Sequence, residues 1–159
     1  MIRIYRICRA EHLENFQGHG TSYQYGGRWN RAGVPVLYFA ESASVAMLEM
    51  ANYLPSPRLV PVAYRLGVYE IGSSAPVKRL QVHDLPDGWN GFPHSQWTRQ
   101  AGTDWLLHGE ESLLTVPSAA IPGGLGNIVV MSPHRLAPTR IRLVEALEDI
   151  YDLRAFPGR

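Results

Sequence analysis

The stretch Ala43-Ser44-Val45-Ala46-Met47-Leu48-Glu49-Met50-Ala51-Asn52-Tyr53-Leu54 constrains this chain more than any other, because it is apolar around nearly the whole of a helix and carries one charge. Ser42 offers an N-cap and Pro55 a stop, so a helix is predicted over 43–54. A helix that lacks a polar face is expected to be buried. At about 100° per residue, Glu49 falls between Val45 and Tyr53 and near Ala46, so its carboxylate projects from an apolar surface. Burying an unpaired carboxylate costs at least about several kcal/mol, so something must be arranged around it. Glu49 is therefore either a solvated helix residue or a functional carboxylate.

Ahead of this helix runs Gly26-Gly27-Arg28-Trp29-Asn30-Arg31-Ala32-Gly33, followed by Val34-Pro35-Val36-Leu37-Tyr38-Phe39-Ala40, a short β-prone run. The glycine pair permits close approach of a ligand to the backbone, and the guanidinium of Arg28 is suited to clamp a phosphate through paired hydrogen bonds. Read alone, Arg28 is a surface charge and Tyr38 a core aromatic. The glycine-rich connection from Gly18 to Gly27 reads as a loop over a pocket mouth. It is not a phosphate-binding fingerprint, since no Gly-Lys-Ser/Thr occurs in it and no helix follows directly.

The rest of the chain is mostly strand. Residues 2–7 alternate as a half-buried strand, which puts Arg3 and Arg6 on opposite faces. A strand is predicted from Leu59 to Val68, with alternation carried on to Ile71. Residues 81–95 form a loop. A helix is predicted from Gln96 to His108, with Thr103 and Asp104 as a possible start inside it and Gly109 as its stop. Leu113–Val116 and Asn127–Met131 read as two further strands joined through the Gly123-Gly124-Leu125-Gly126 turn. The C-terminal part fits either a strand at 141–144 or a helix carrying Leu143, Leu147, Ile150 and Leu153. Strands outnumber helices without regular βαβ alternation, which predicts a mixed α+β domain with a split, largely antiparallel sheet. At 159 residues the whole of 1–159 is expected to form one domain.

Composition narrows the function. Fifteen Lys and Arg against fourteen Asp and Glu are scattered rather than clustered, which argues against nucleic acid binding. The charged fraction is only 18%, which would suit a chain that hides a face against a partner. Cys8 has no partner for an intrachain disulfide, the N-terminus has arginines where a signal peptide needs an apolar run, and no window is apolar enough for a membrane span. A cytoplasmic protein is expected. The six histidines show no metal-binding spacing, so no metal is expected. Ser118 follows Pro117 without a nucleophile elbow, which argues against a serine hydrolase.

Taken in order, Tyr5-Arg6-Ile7, Gly27-Arg28-Trp29-Asn30, the Tyr38 strand, Ala46-Met47-Leu48-Glu49, Gly88-Trp89, Val116-Pro117-Ser118-Ala119 and Asn127 resemble the RES domain, the toxin half of RES–Xre toxin–antitoxin pairs. The match spans nearly the whole chain. The resemblance implies a fold like that of the ADP-ribosyltransferases and consumption of NAD as a substrate, by hydrolysis, by phosphorolysis or by modification of a protein. It also implies an Xre-like antitoxin as partner in a hetero-oligomer. By position, Arg28 would hold a phosphate of NAD, Tyr38 would pack on the nicotinamide or its ribose, and Glu49 would act at the ribose. Ser118 would orient that ribose or its neighbours, with Arg6 and Asn127 as further candidates for the same pocket. This chain departs from the family in having Ser132-Pro133 where an Asn-Pro is common. A third reading, a partner-binding module without catalysis, is disfavoured by the joint presence of Arg28, Tyr38 and Glu49.

Overall fold

The protein is described here by a computed structural model covering residues 1–56, 59–137, 140–152 and 154. Its strands are β1 (Ile2–Arg9), β2 (Leu37–Ala40), β3 (Tyr64–Ile71), β4 (Val77–Arg79), β5 (Leu113–Pro117), β6 (Asn127–Met131) and β7 (Ile141–Leu147). Its helices are α1 (Thr21–Tyr25), α2 (Ala43–Ala51) and α3 (Gln96–His108). The strands form one mixed sheet in the order β4-β5-β6-β2-β1-β3-β7, antiparallel throughout except for the parallel pair β4–β5. β1 pairs with β3 along its whole length, from Ile2↔Ile71 to Arg9↔Tyr64, but meets β2 only at Tyr5↔Ala40. That single pair is the seam of a nearly split sheet, as the strand pattern predicts.

Period-2 alternation gives the sheet two apolar faces. One buries Ile4, Leu37, Phe39, Tyr69, Leu113, Val129 and Met131. The other carries both longer helices. Val45 and Ala46 of α2 cover Ile7, Ala40 and Leu66 across the seam, while Trp105 and Leu106 of α3 pack with Leu114, Val116 and Val130.

Local signals explain which boundaries the sequence places well. α3 has the predicted bounds, with Ser95 accepting from the Trp97 N–H at 3.2 Å and Gly109 as C-cap, and it starts at Gln96 rather than at the alternative Thr103, which lies buried inside it. α2 begins after Ser42, whose hydroxyl accepts from the Val45 N–H, but ends at Ala51, short of the predicted Leu54. It is also not buried all round. Leu48 is 41% exposed, because a helix lying on one face of a sheet buries only the stripe that touches it. β2 starts at Leu37, beyond Pro35, and β3 starts at Tyr64, whose N–H closes a turn onto the Pro61 carbonyl. α1 and β4 are absent from the sequence expectation. β7 pairs with β3 from Leu66↔Leu147 to Ile71↔Ile141, so the ambiguous segment is a strand there, and Leu153 lies outside the described residues. Among the described residues no helix is long and apolar enough to cross a membrane.

Candidate active site

Arg28 sits on a turn clamped from two sides. The turn closes through Gly27 N–H to the Asn30 carbonyl at 3.0 Å. A Cβ at Gly27 would lie 2.8 Å from Asn30 Oδ1 and 2.9 Å from the Tyr38 hydroxyl, so only glycine fits. From β2, the Tyr38 hydroxyl donates to Asn30 Oδ1 at 2.6 Å and accepts from the Trp29 N–H at 3.1 Å. From α3, Arg99 Nε donates to the Gly27 carbonyl, and Thr103 Oγ1 accepts from the Arg31 N–H. Gly102 lets the helix touch the loop backbone directly, since a Cβ there would stand 1.9 Å from the Trp29 carbonyl oxygen. On this platform Arg28 Nη1 donates to the carbonyls of Trp89 and Gly91, both at 2.9 Å, which aims the guanidinium while leaving its other N–H groups for a ligand.

The partner of Glu49 comes from the end of β5. Ser118, directly after β5, is fully buried, and its hydroxyl donates to Glu49 Oε1 at 2.6 Å. Ser118 Oγ in turn accepts from the Ala120 N–H at 3.1 Å, and the Ser118 N–H is tied to the Gly126 carbonyl. With the hydroxyl oxygen accepting from Ala120, its proton points at the carboxylate. This is the group the apolar helix demanded.

The field around these side chains is shared. Burial lowers the pKa of Arg28, opposed by Glu49 and then by Tyr53 and Tyr38, yet among the described ion pairs none joins Arg28 to Glu49. Burial pushes the Tyr38 phenol far above its usual value, so it stays a hydrogen-bond donor at physiological pH. Tyr53, one turn beyond Glu49 and largely exposed, has its pKa raised by partial burial and then by Glu49, with Arg28 opposing. His94 is held below the usual histidine range by burial, then by Arg28 and Arg99, and its buried Nδ1 has no hydrogen-bond partner. Tyr53, His94 and Arg99 are the site residues that the sequence did not suggest. A Tyr at four residues past Glu49 was the one available signal. Among the described residues no cluster of His, Cys, Asp and Glu is placed to hold a metal ion.

Arg6 and Asn127 are not brought to this group. Arg6 lies on the opposite face, its guanidinium 5.1 Å from the Phe39 ring centre and 5.5 Å from that of Tyr69, donating to the His12 and Leu13 carbonyls. Alternation along β6 puts Asn127 on that same face, with Val129. There its backbone N–H and side-chain amide both donate to Glu41 at 3.0 Å, and its carbonyl accepts from the Glu41 N–H, fixing the turn from β2 into α2. Ser132, at the departure from the Asn-Pro pattern, is buried with its hydroxyl unpartnered. Cavities of about 590 Å³ beside Phe16 and His134 and about 360 Å³ beside Arg79 and Asn127 include none of Arg28, Tyr38, Glu49 or Ser118. The site is therefore marked by its chemistry rather than by enclosed volume.

A family model described as the RES domain matches residues 3–151. A protein named Toxin Res from Yersinia enterocolitica is 33% identical over 153 residues, covering 95% of this chain and 97% of that protein. A protein named Prs ADP-ribosylating toxin from a Sphingobium species is 32% identical over 123 residues, 76% of this chain and 74% of its own length. Another Toxin Res, from Pseudomonas putida, is 38% identical over 117 residues, 73% of this chain and 77% of that protein. Among solved structures, a chain of the M. tuberculosis MbcT-MbcA toxin-antitoxin complex superposes with a TM-score of 0.69 at 23% identity, covering 92% of this chain and 82% of that one. That likeness shows a shared fold.

Proposed function

Because this chain belongs to the RES domain family, we propose that it is the toxin of a toxin–antitoxin pair and that it cleaves the nicotinamide–ribose bond of NAD. The observation that carries the chemistry is the 2.6 Å hydrogen bond from the buried Ser118 to Glu49, on the same face of the sheet as a fixed arginine. The C1′–N bond breaks with its electron pair going to nicotinamide, which leaves as a neutral base because its ring nitrogen was cationic. No general acid is needed on the leaving group. What needs help is the positive charge that grows on the ribose, and a carboxylate beside it stabilises that oxocarbenium-like state. Glu49 has that role, and Ser118 fixes which of its oxygens faces away. Arg28 takes the pyrophosphate with the N–H groups left over from Trp89 and Gly91, so no metal is called for. The ring of Tyr38 packs on the nicotinamide end while its hydroxyl holds the Arg28 turn.

The acceptor of C1′ is an oxygen of water or of inorganic phosphate, which loses a proton as the new bond forms. A second reading is favoured by the relative named an ADP-ribosylating toxin: the same site passes ADP-ribose to a protein. The expected partner is an Xre-like antitoxin in a cytoplasmic hetero-oligomer. The test is to incubate the protein with NAD, with and without phosphate and cell lysate, and resolve nicotinamide, ADP-ribose, its phosphate ester and labelled protein. Nicotinamide release supports the reading, and labelled lysate protein selects the transferase. Absence of nicotinamide rejects both.

A further inference from the structure

The groups around Arg28 divide into two sets. Tyr53 feels both Glu49 and Arg28, whereas His94 feels Arg28 and Arg99. Hydrogen bonds add two fixed points: Ser118 holds Glu49, and Arg28 grips the carbonyls of Trp89 and Gly91, the latter directly preceding Phe92. Phe92 is 85% exposed, and His94 stands edge-on to it with ring centres 5.5 Å apart at 89°. A single exposed phenylalanine is ordinary, so its exposure is not the argument. Its place is. A dinucleotide is itself an ordered rod of nicotinamide, ribose, pyrophosphate, ribose and adenine. With the scissile bond at Glu49 and the pyrophosphate at Arg28, its far ring falls on the Phe92 side.

We propose that Phe92, braced by His94 and tethered through Gly91 to Arg28, is the stacking platform for the adenine ring of the substrate. This rests on the NAD reading above. The exposed Phe92 ring can receive the base, and stacking on an aromatic side chain changes nucleotide affinity by about tenfold or more per base. The tether makes the platform and the phosphate clamp a single unit, so a substrate that lacks adenine forfeits the stack while keeping the reacting bond.

Nicotinamide mononucleotide is such a substrate. Nicotinamide release from NAD and from the mononucleotide is measured for the full chain and for Phe92→Ala and Phe92→Trp. In the wild type the KM for the mononucleotide should exceed that for NAD by about tenfold or more. Phe92→Ala should raise the KM for NAD by about that factor with little change in kcat, shrinking the ratio of the two KM values toward one, and Phe92→Trp should restore it. A wild-type ratio near one, a ratio unchanged in Phe92→Ala, or no rescue by Phe92→Trp overturns the platform while leaving NAD cleavage standing. If the wild type releases nicotinamide from neither compound, the NAD reading falls and the platform with it. Melting curves confirm that the variants are folded before kinetics are compared.

Discussion

Ser118 has one proton to give and gives it to Glu49, so the hydroxyl determines how the carboxylate presents its second oxygen. Ser118→Ala should then lower kcat by about ten- to a hundredfold with a smaller change in KM, read from steady-state nicotinamide release. A change confined to KM would contradict the positioning role. His94 gives a stability prediction with a definite sign. Its folded pKa lies below the unfolded value of 6.5, so the unfolded chain takes up the extra proton first. The stability associated with this residue is full above that value and declines as pH falls through and below it. His94→Gln should flatten the decline of the urea midpoint between about pH 7 and pH 5 relative to wild type. An unaltered slope would show that His94 does not titrate against Arg28 and Arg99. At this scale Arg28, Tyr38 and Glu49 were legible because glycines, a β-prone run and an apolar helix made each of them conspicuous. Ser118 was visible only through resemblance, since Pro-Ser at a strand end is an ordinary dipeptide. His94 and Arg99 acquire meaning only from what folds against them.

The site is assembled by elements as well as residues, and the contact between α3 and the Arg28 turn is the tightest of these. Gly102→Ala places a Cβ 1.9 Å from the Trp29 carbonyl oxygen, which backbone atoms cannot absorb without moving the helix. The expected cost is about 2 kcal/mol or more, measured by urea unfolding, together with a raised KM as the turn shifts. A variant of wild-type stability would mean that α3 does not seat the turn as described. Tyr38→Phe removes the hydroxyl that bridges Trp29 and Asn30 and should lower stability by about 1–3 kcal/mol through the unmet N–H and amide oxygen. Element boundaries were legible where the stop signal is local, as with Ser95 and Gly109 around α3. They were misjudged at α2, because apolar residues past Ala51 continue the pattern after the helix has ended. Alternation in β1 correctly separated Arg3 from Arg6, but it does not say which face receives the helices. Arg6 therefore entered the expected pocket, and the structure sets it among Phe16, Phe39 and Tyr69 instead.

Across the whole molecule, the strand order brings together residues that the chain keeps apart. β5 and β6 fold back beside β2, which carries Ser118 to the helix that follows β2, and the turn before β2 supplies Arg28. The sheet itself could be anticipated as split and largely antiparallel from the lack of βαβ alternation. Its order could not, because a pattern of strands does not state which pairs form, and β4 was too short to register. In the proposed reaction Glu49, held by Ser118, stabilises the ribose cation formed when nicotinamide leaves. The most direct measurement is the rate of nicotinamide release from NAD by wild type and by Glu49→Gln, which keeps the shape and the bond from Ser118 but removes the charge. The expected result is a fall of at least about a hundredfold in kcat at similar thermal stability. Release by Glu49→Gln at the wild-type rate would contradict it.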